Sequence, residues 1–208
     1  MSQYVKAKTY KITAPAMKHR DGWKCPKTEL RVTYYESRIG VPWKTMRPLI
    51  ACAFRHVQRE GFNDLKLDFI DRNRRNASKL FVHKSKRDWW GRNMGIRSRV
   101  FVGPLHDEPK LETYDRFDDM PEYWVKDWRE HLVGIVAHEL WHRWQPGTGK
   151  AAEMVCELVE IDAIDAYRKL MKYTFTPPTK PENENTDTAP APDALLGVQN
   201  LNEPVHAH

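Results

Sequence analysis

His138-Glu139-Leu140-Trp141-His142 holds the densest chemistry in this 208-residue chain. Residues four apart on a helix lie one above the other, so both imidazoles can reach a single metal ion. Glu139 lies between them and can hold and deprotonate a water activated by that ion. Zinc hydrolases use this spacing. It makes His138 and His142 candidate metal ligands, Glu139 the candidate catalytic base and Zn2+ the expected cofactor. The preceding Leu132, Val133, Ile135, Val136 and Ala137 are apolar, so the helix carrying the site is expected to be buried. Buried histidines beside a glutamate need partners, and a metal is the simplest one.

Catalytic zinc usually takes three protein ligands and keeps a fourth position for water. Gln145-Pro146-Gly147-Thr148-Gly149 is a cluster of helix breakers. A second helix is expected from about Lys150 to Lys172, with Glu153, Glu157, Glu160, Asp162 and Asp165 along it. If the two helices form an antiparallel hairpin, the level of residue 140 mirrors to position 155 or 156. Glu153 and Glu157 bracket that level, and Glu160 shares their face. Glu157 is the expected third ligand, ahead of Glu153 and then Glu160. The acids left over would orient a histidine through Nδ1–H. Tyr167, His131 and His106 are candidates for stabilising an oxyanion.

HELWH followed by an acid-bearing helix resembles the gluzincin class of zincin metallopeptidases, especially the compact single-domain kind of bacteria and their phages. The likeness spans His131–Tyr167. It implies that His138 and His142 bind zinc, that Glu139 is the general base, that Glu157 is the third ligand, and that a peptide or protein is the substrate. The family's frequent acid-x-x-x-Asp pair is not present in clean form, since Ile161 stands four residues after Glu157. No third histidine follows at the metzincin spacing. Similarity to SprT-like proteases is weaker, because no histidine follows the loop where theirs supplies a ligand.

The positioning elements follow from periodicity. Leu30–Tyr35 and Leu65–Ile70 alternate as strands, Lys79–His83 reads as a short strand, and Asn93–Gly103 reads as a strand leading to Pro104. Trp43 to about Arg59 has apolar residues at helical spacing. Tyr4–Ile12 fits a strand or a helix, His106–Asp119 a loop, and Pro121–Glu130 the start of a helix. Trp141 and Trp144 are expected as core anchors. The fold class is α+β: zincin-like, a small twisted mixed sheet packed on an active-site helix and a second, ligand-bearing helix. In that fold class an edge strand borders the cleft and can pair with an extended peptide; Arg97–Val102 is the candidate.

Residues 1–174 are expected to form the metallopeptidase domain and 175–208 a disordered tail rich in Pro, Asn and acids. The chain carries +6; Lys180 against five acids gives the tail −4, which leaves +10 for the rest. Much of that lies in Lys84–Arg99, which includes Trp89 and Trp90. A solvated basic loop with inward tryptophans is the ordinary reading of such a segment. Its functional alternative is binding to single-stranded nucleic acid, with charge and stacking acting together. That alternative makes the chain a nucleic-acid-associated zincin-fold protein, SprT-like or anti-restriction-like, binding DNA through segment 84–99 with or without catalysis. Three cysteines without metal spacing fit a reduced, cytoplasmic protein. No apolar run approaches the roughly 18 residues of a membrane span. Substrate specificity and oligomeric state are not encoded in any motif.

Overall fold

The computed structural model describes residues 7–18, 24–58, 65–71, 90–112, 122–145 and 149–179. Along these run β1 (Lys8–Ala14), β2 (Met17–Lys18), β3 (Lys24–Cys25), β4 (Thr28–Tyr34), α1 (Glu36–Ile39), α2 (Trp43–Val57), β5 (Leu65–Asp71), β6 (Trp90–Met94), β7 (Arg97–Val102), β8 (Lys110–Glu112), β9 (Tyr123–Val125), α3 (Trp128–Trp141) and α4 (Lys150–Met171). Five strands form a mixed sheet in the order β1-β4-β5-β7-β6. β4, β5 and β7 run parallel, with an antiparallel strand on each edge. The class is therefore α+β with a mixed sheet.

Period-two alternation gives the sheet two unlike faces. Leu30, Val32, Tyr34, Leu65, Leu67, Phe69, Val100 and Val102 are buried on one face. Against them pack Met46, Ile50, Ala53 and Phe54 of α2 and Leu132, Val133, Val136 and Leu140 of α3. The other face carries Arg31, Lys66 and Arg97. α3 is buried along nearly its whole length, from Trp128 to Leu140. Asp127 caps it, its carboxylate accepting from the backbone N–H of Arg129 at 2.8 Å and of Glu130 at 3.3 Å, a contact worth about 1 kcal/mol.

α3 and α4 form the expected hairpin with a constant register. His138 faces Glu160, His142 faces Cys156 and Glu130 faces Arg168, and each pair is symmetric about position 149. The far end of the hairpin is locked by Arg168, which donates to Glu130 Oε1 at 2.7 Å and Oε2 at 2.6 Å. Arg168 also donates to the Trp124 carbonyl at 2.7 Å and to the Tyr123 hydroxyl at 2.9 Å. The Tyr173 hydroxyl and the Lys126 N–H complete the shell of the Glu130 carboxylate.

Several local expectations need correction. Asn93–Gly103 is not one strand: Gly95, at φ +75°, turns the chain into the β6–β7 hairpin. Consequently Arg97–Val102 lies inside the sheet, and Trp90–Met94 is the edge among the described strands. The helix expected to begin within Pro121–Glu130 starts only at Trp128. Tyr123–Val125 before it is a strand paired with Lys110–Glu112, which falls in the segment expected to be loop. Trp144 is exposed rather than a core anchor, whereas Trp141 packs against the core. The strand expected at Lys79–His83 lies outside the described residues. The chain divides into units Met1–Pro178 and Thr179–His208; the elements above belong to the first, and the expected tail beyond Thr179 lies outside the described residues. No helix among the described residues is long and apolar enough to cross a membrane.

Candidate metal centre

His138 and His142 occupy the last turn of α3 and the residue that follows it. Their Nε2 atoms approach to 3.1 Å. Two imidazoles on one tetrahedral zinc, at Zn–N of about 2.0–2.1 Å, place their nitrogens about 3.3 Å apart. The carboxylate of Glu153 faces both: Oε2 lies 3.5 Å from His138 Nε2 and Oε1 3.6 Å from His142 Nε2. Glu157, buried on the next turn of α4, has a carboxylate oxygen within 4.8 Å of ligand atoms of both His138 and Glu153. Two imidazoles and a carboxylate converging on one point form a donor set suited to zinc.

The outward nitrogens are held from behind. Glu160 Oε2 lies 3.3 Å from His138 Nδ1, and Cys156 Sγ lies 3.3 Å from His142 Nδ1. Fixing each ring at Nδ1 directs Nε2 toward the shared point. Glu160 can come so close because Gly134, one turn before His138, has no side chain. A Cβ there would sit 2.7 Å from Glu160 Cγ and 2.8 Å from Ile164 Cδ1.

Glu139 is buried beside this point, with Oε1 4.0 Å from His138 Nε2. The β6–β7 hairpin grips the residue. Its backbone carbonyl, one of the last four in the helix and so lacking an intrahelical donor, accepts from Asn93 Nδ2 at 3.1 Å and Ser98 Oγ at 3.0 Å. Its side chain lies flat against the edge strand, where a Cβ on Gly91 would fall 2.2 Å from Glu139 Cγ.

The electrostatics match a cluster of four acids around two imidazoles. Burial pushes the Glu139 carboxyl up to about 8; the His138 charge opposes this, and Glu153, Glu160 and Glu157 add to it. Burial disfavours the charged form of His138. Even so, its carboxylate partners Glu153 and Glu160, with Glu139 nearby, hold it up to about 10. His142 is lowered, first by burial and then by the His138 charge. Burial, followed by the surrounding carboxylates, raises the Cys156 thiol, so it stays neutral. Its sulfur can accept from His142 Nδ1–H, the tautomer that leaves Nε2 free to bind a metal.

The structure thus brings His138, Glu139, His142, Glu153, Glu157 and Glu160 together. The oxyanion candidates are elsewhere. His131 sits seven residues before His138, about 10 Å along the helix axis, with Nδ1 3.8 Å from Glu112 Oε1 and its ring 5.9 Å from that of His106. Tyr167 packs beside Tyr173 and feels the charge of Asp127, at the opposite end of α3. Sequence reasoning missed Cys156, Gly134, Gly91, Asn93 and Ser98. Cys156 was findable, as the mirror of His142 across the hairpin. Comparison of the chain with protein-family models, with curated proteins and with solved structures finds no match.

Proposed function

We propose that this chain is a zinc-dependent metallopeptidase of the zincin kind, with His138, His142 and Glu153 as metal ligands and Glu139 as general base. The observation that carries the reading is the meeting of two imidazole Nε2 atoms at 3.1 Å with both oxygens of Glu153 facing them. Glu153 ranks ahead of Glu157 as third ligand because its carboxylate addresses both histidines at once. Glu153 is also 38% exposed, so the centre opens to solvent on that side, as a catalytic site requires and a closed structural site does not. Bound zinc would supply Lewis-acid activation of water and of the scissile carbonyl.

The chain's own residues do the rest. Glu139 takes a proton at its carboxylate from the attacking water and returns it to the leaving amine. A carboxyl raised by burial is suited to both halves of that transfer near neutral pH. Glu160 and Cys156 keep the two rings from rotating. The edge of β6 runs past Glu139, and an extended peptide pairing with that edge would be laid across the centre.

The test is metal content and proteolysis on the full chain. About one zinc per chain, lost in both His138→Ala and Glu153→Ala but kept in Glu139→Gln, is expected. Hydrolysis of a denatured protein substrate should vanish in all three. A Glu139→Gln protein that still cleaves at the unaltered rate sinks the reading, and zinc retained by Glu153→Ala but lost by Glu157→Ala returns the third position to Glu157.

A further inference from the structure

Strand register lines up basic residues on the sheet face opposite the helices. Lys11 is the cross-strand partner of Arg31, Arg31 of Lys66, and Lys66 of Arg97, which makes one row across β1, β4, β5 and β7. At strand spacings of about 4.8 Å the row is about 14 Å long. One step along, Arg99 of β7 partners Arg92 of β6. Lys11, Arg31, Arg92 and Arg97 are exposed, and Lys66 and Arg99 half-buried. Among the described residues the same face offers two carboxylates against these six cations: Glu29 beside Lys11 at 3.7 Å and Asp68 beside Arg97 at 3.3 Å.

Like charges directly opposite one another weaken a sheet, and opposite charges strengthen it. Here four cross-strand neighbours are cation against cation, and two of them, Arg31–Lys66 and Lys66–Arg97, join interior strands where no edge needs protection from pairing. The apolar pairs of the opposite face fix that register, and Arg31 and Arg92 engage other groups as well. The row of cations left on this face matches a ligand that is itself a row of negative charges. At one end of the row Met94, the partner of Arg97, and Ile96 expose apolar side chains, a surface on which unstacked bases can lie but paired ones cannot.

We infer that this sheet face binds the phosphate backbone of single-stranded nucleic acid, without regard to sequence. The face lies on the other side of the sheet from Glu139 and the histidines, so the inference stands apart from the proposed peptidase activity. It also differs from a basic loop over 84–99: the binding row draws on four strands from both halves of the sheet.

Fluorescence anisotropy of a labelled oligothymidylate, titrated with the full chain across a salt series, tests it. Binding at low salt is expected, with log K falling linearly against log salt by about 0.7 per phosphate contact. Arg31→Gln/Lys66→Gln should make that slope shallower by about 1.4. Lys44→Gln/Arg47→Gln on α2, an equal change of net charge, should leave it unaltered, as should Glu139→Gln. Circular dichroism melting of each variant checks that the sheet is intact. The inference is overturned by absence of binding at low salt, by equal loss in both double variants, or by a duplex or a polyglutamate of the same charge displacing the probe more readily than unlabelled single strand.

Discussion

Gly91→Ala isolates one contact. Gly91 has no left-handed φ to preserve, since the positive-φ glycines among the described residues are Gly40, Gly95 and Gly149. Alanine therefore fits the β6 backbone, and its effect comes from the methyl group alone. That methyl would lie 2.2 Å from Cγ, 2.3 Å from Cδ and 2.4 Å from Oε1 of Glu139, where ordinary contact begins at about 3.4 Å. Either the Glu139 side chain moves by more than about 1 Å, or β6 lifts and stretches the Asn93 and Ser98 hydrogen bonds to the Glu139 carbonyl. A misplacement of about 1 Å in a catalytic group costs about 100-fold in rate, and overpacking costs about 1–3 kcal/mol of stability. The proposed zinc donors His138, His142 and Glu153 are not among the atoms the methyl would meet. Gly91→Ala should thus retain zinc, lose about 100-fold in peptide hydrolysis and melt a few degrees lower. Gly95→Ala supplies the contrast: φ is +75° but nothing lies within 4 Å, so it should cost about 1–2 kcal/mol of strain and leave the rate alone. A Gly91→Ala protein with unaltered rate and melting temperature would refute the account of how Glu139 is held.

Other consequences follow from the same contacts. Cys156→Ala should weaken zinc binding about 10- to 100-fold in chelator competition, because His142 loses the group at its Nδ1, and Cys156→Ser should recover most of it. Arg168→Ala leaves the buried Glu130 carboxylate without its cation and should lower unfolding free energy by about 3–5 kcal/mol in a denaturant titration. Burial acts to raise the Glu130 carboxyl, but the bonds from Arg168, Tyr173 and Lys126 outweigh it and hold it below its ordinary value of 4.5. A depressed folded-state value gives stability that is complete above 4.5 and is lost as pH falls through the folded value. Melting temperature should therefore drop on acidification below about 4.5, and Glu130→Gln should be less stable at neutral pH with a flatter acid limb.

The elements that sequence pattern reached are those with a single strong period. β4, α2, β5, α3 and α4 appear where apolar spacing put them, because each buries one face and the spacing records which. The hairpin of α3 and α4 was legible too, but its centre sits at 149 rather than at about 148. That shift of about one residue decided which acids meet which histidine. It takes Glu160 to His138 and Cys156 to His142, and leaves the long side chain of Glu153 to reach both Nε2 atoms from the neighbouring turn. The β6–β7 hairpin was hidden because polar residues occupy both faces of Arg92–Met94 and Arg97–Arg99, with Asn93 and Ser98 turned toward Glu139 and the arginines to the other side, and only Gly95 marks the turn. Tyr123–Val125 pairs with Lys110–Glu112 across an intervening segment, a contact that no local period encodes.

Asn93, Ser98 and Gly91 hold Glu139 by its carbonyl and by its side chain, and all three belong to one β-ribbon. The ribbon's outer strand β6 and the carboxyl are accordingly a single mechanical part. Whatever lies along that strand is kept at a fixed offset from the carboxylate by a few residues of paired backbone, with no hinge between them. Under the proposed chemistry, alignment of a bound peptide with Glu139 is inherited from the sheet, and any substitution that tilts the ribbon changes both together.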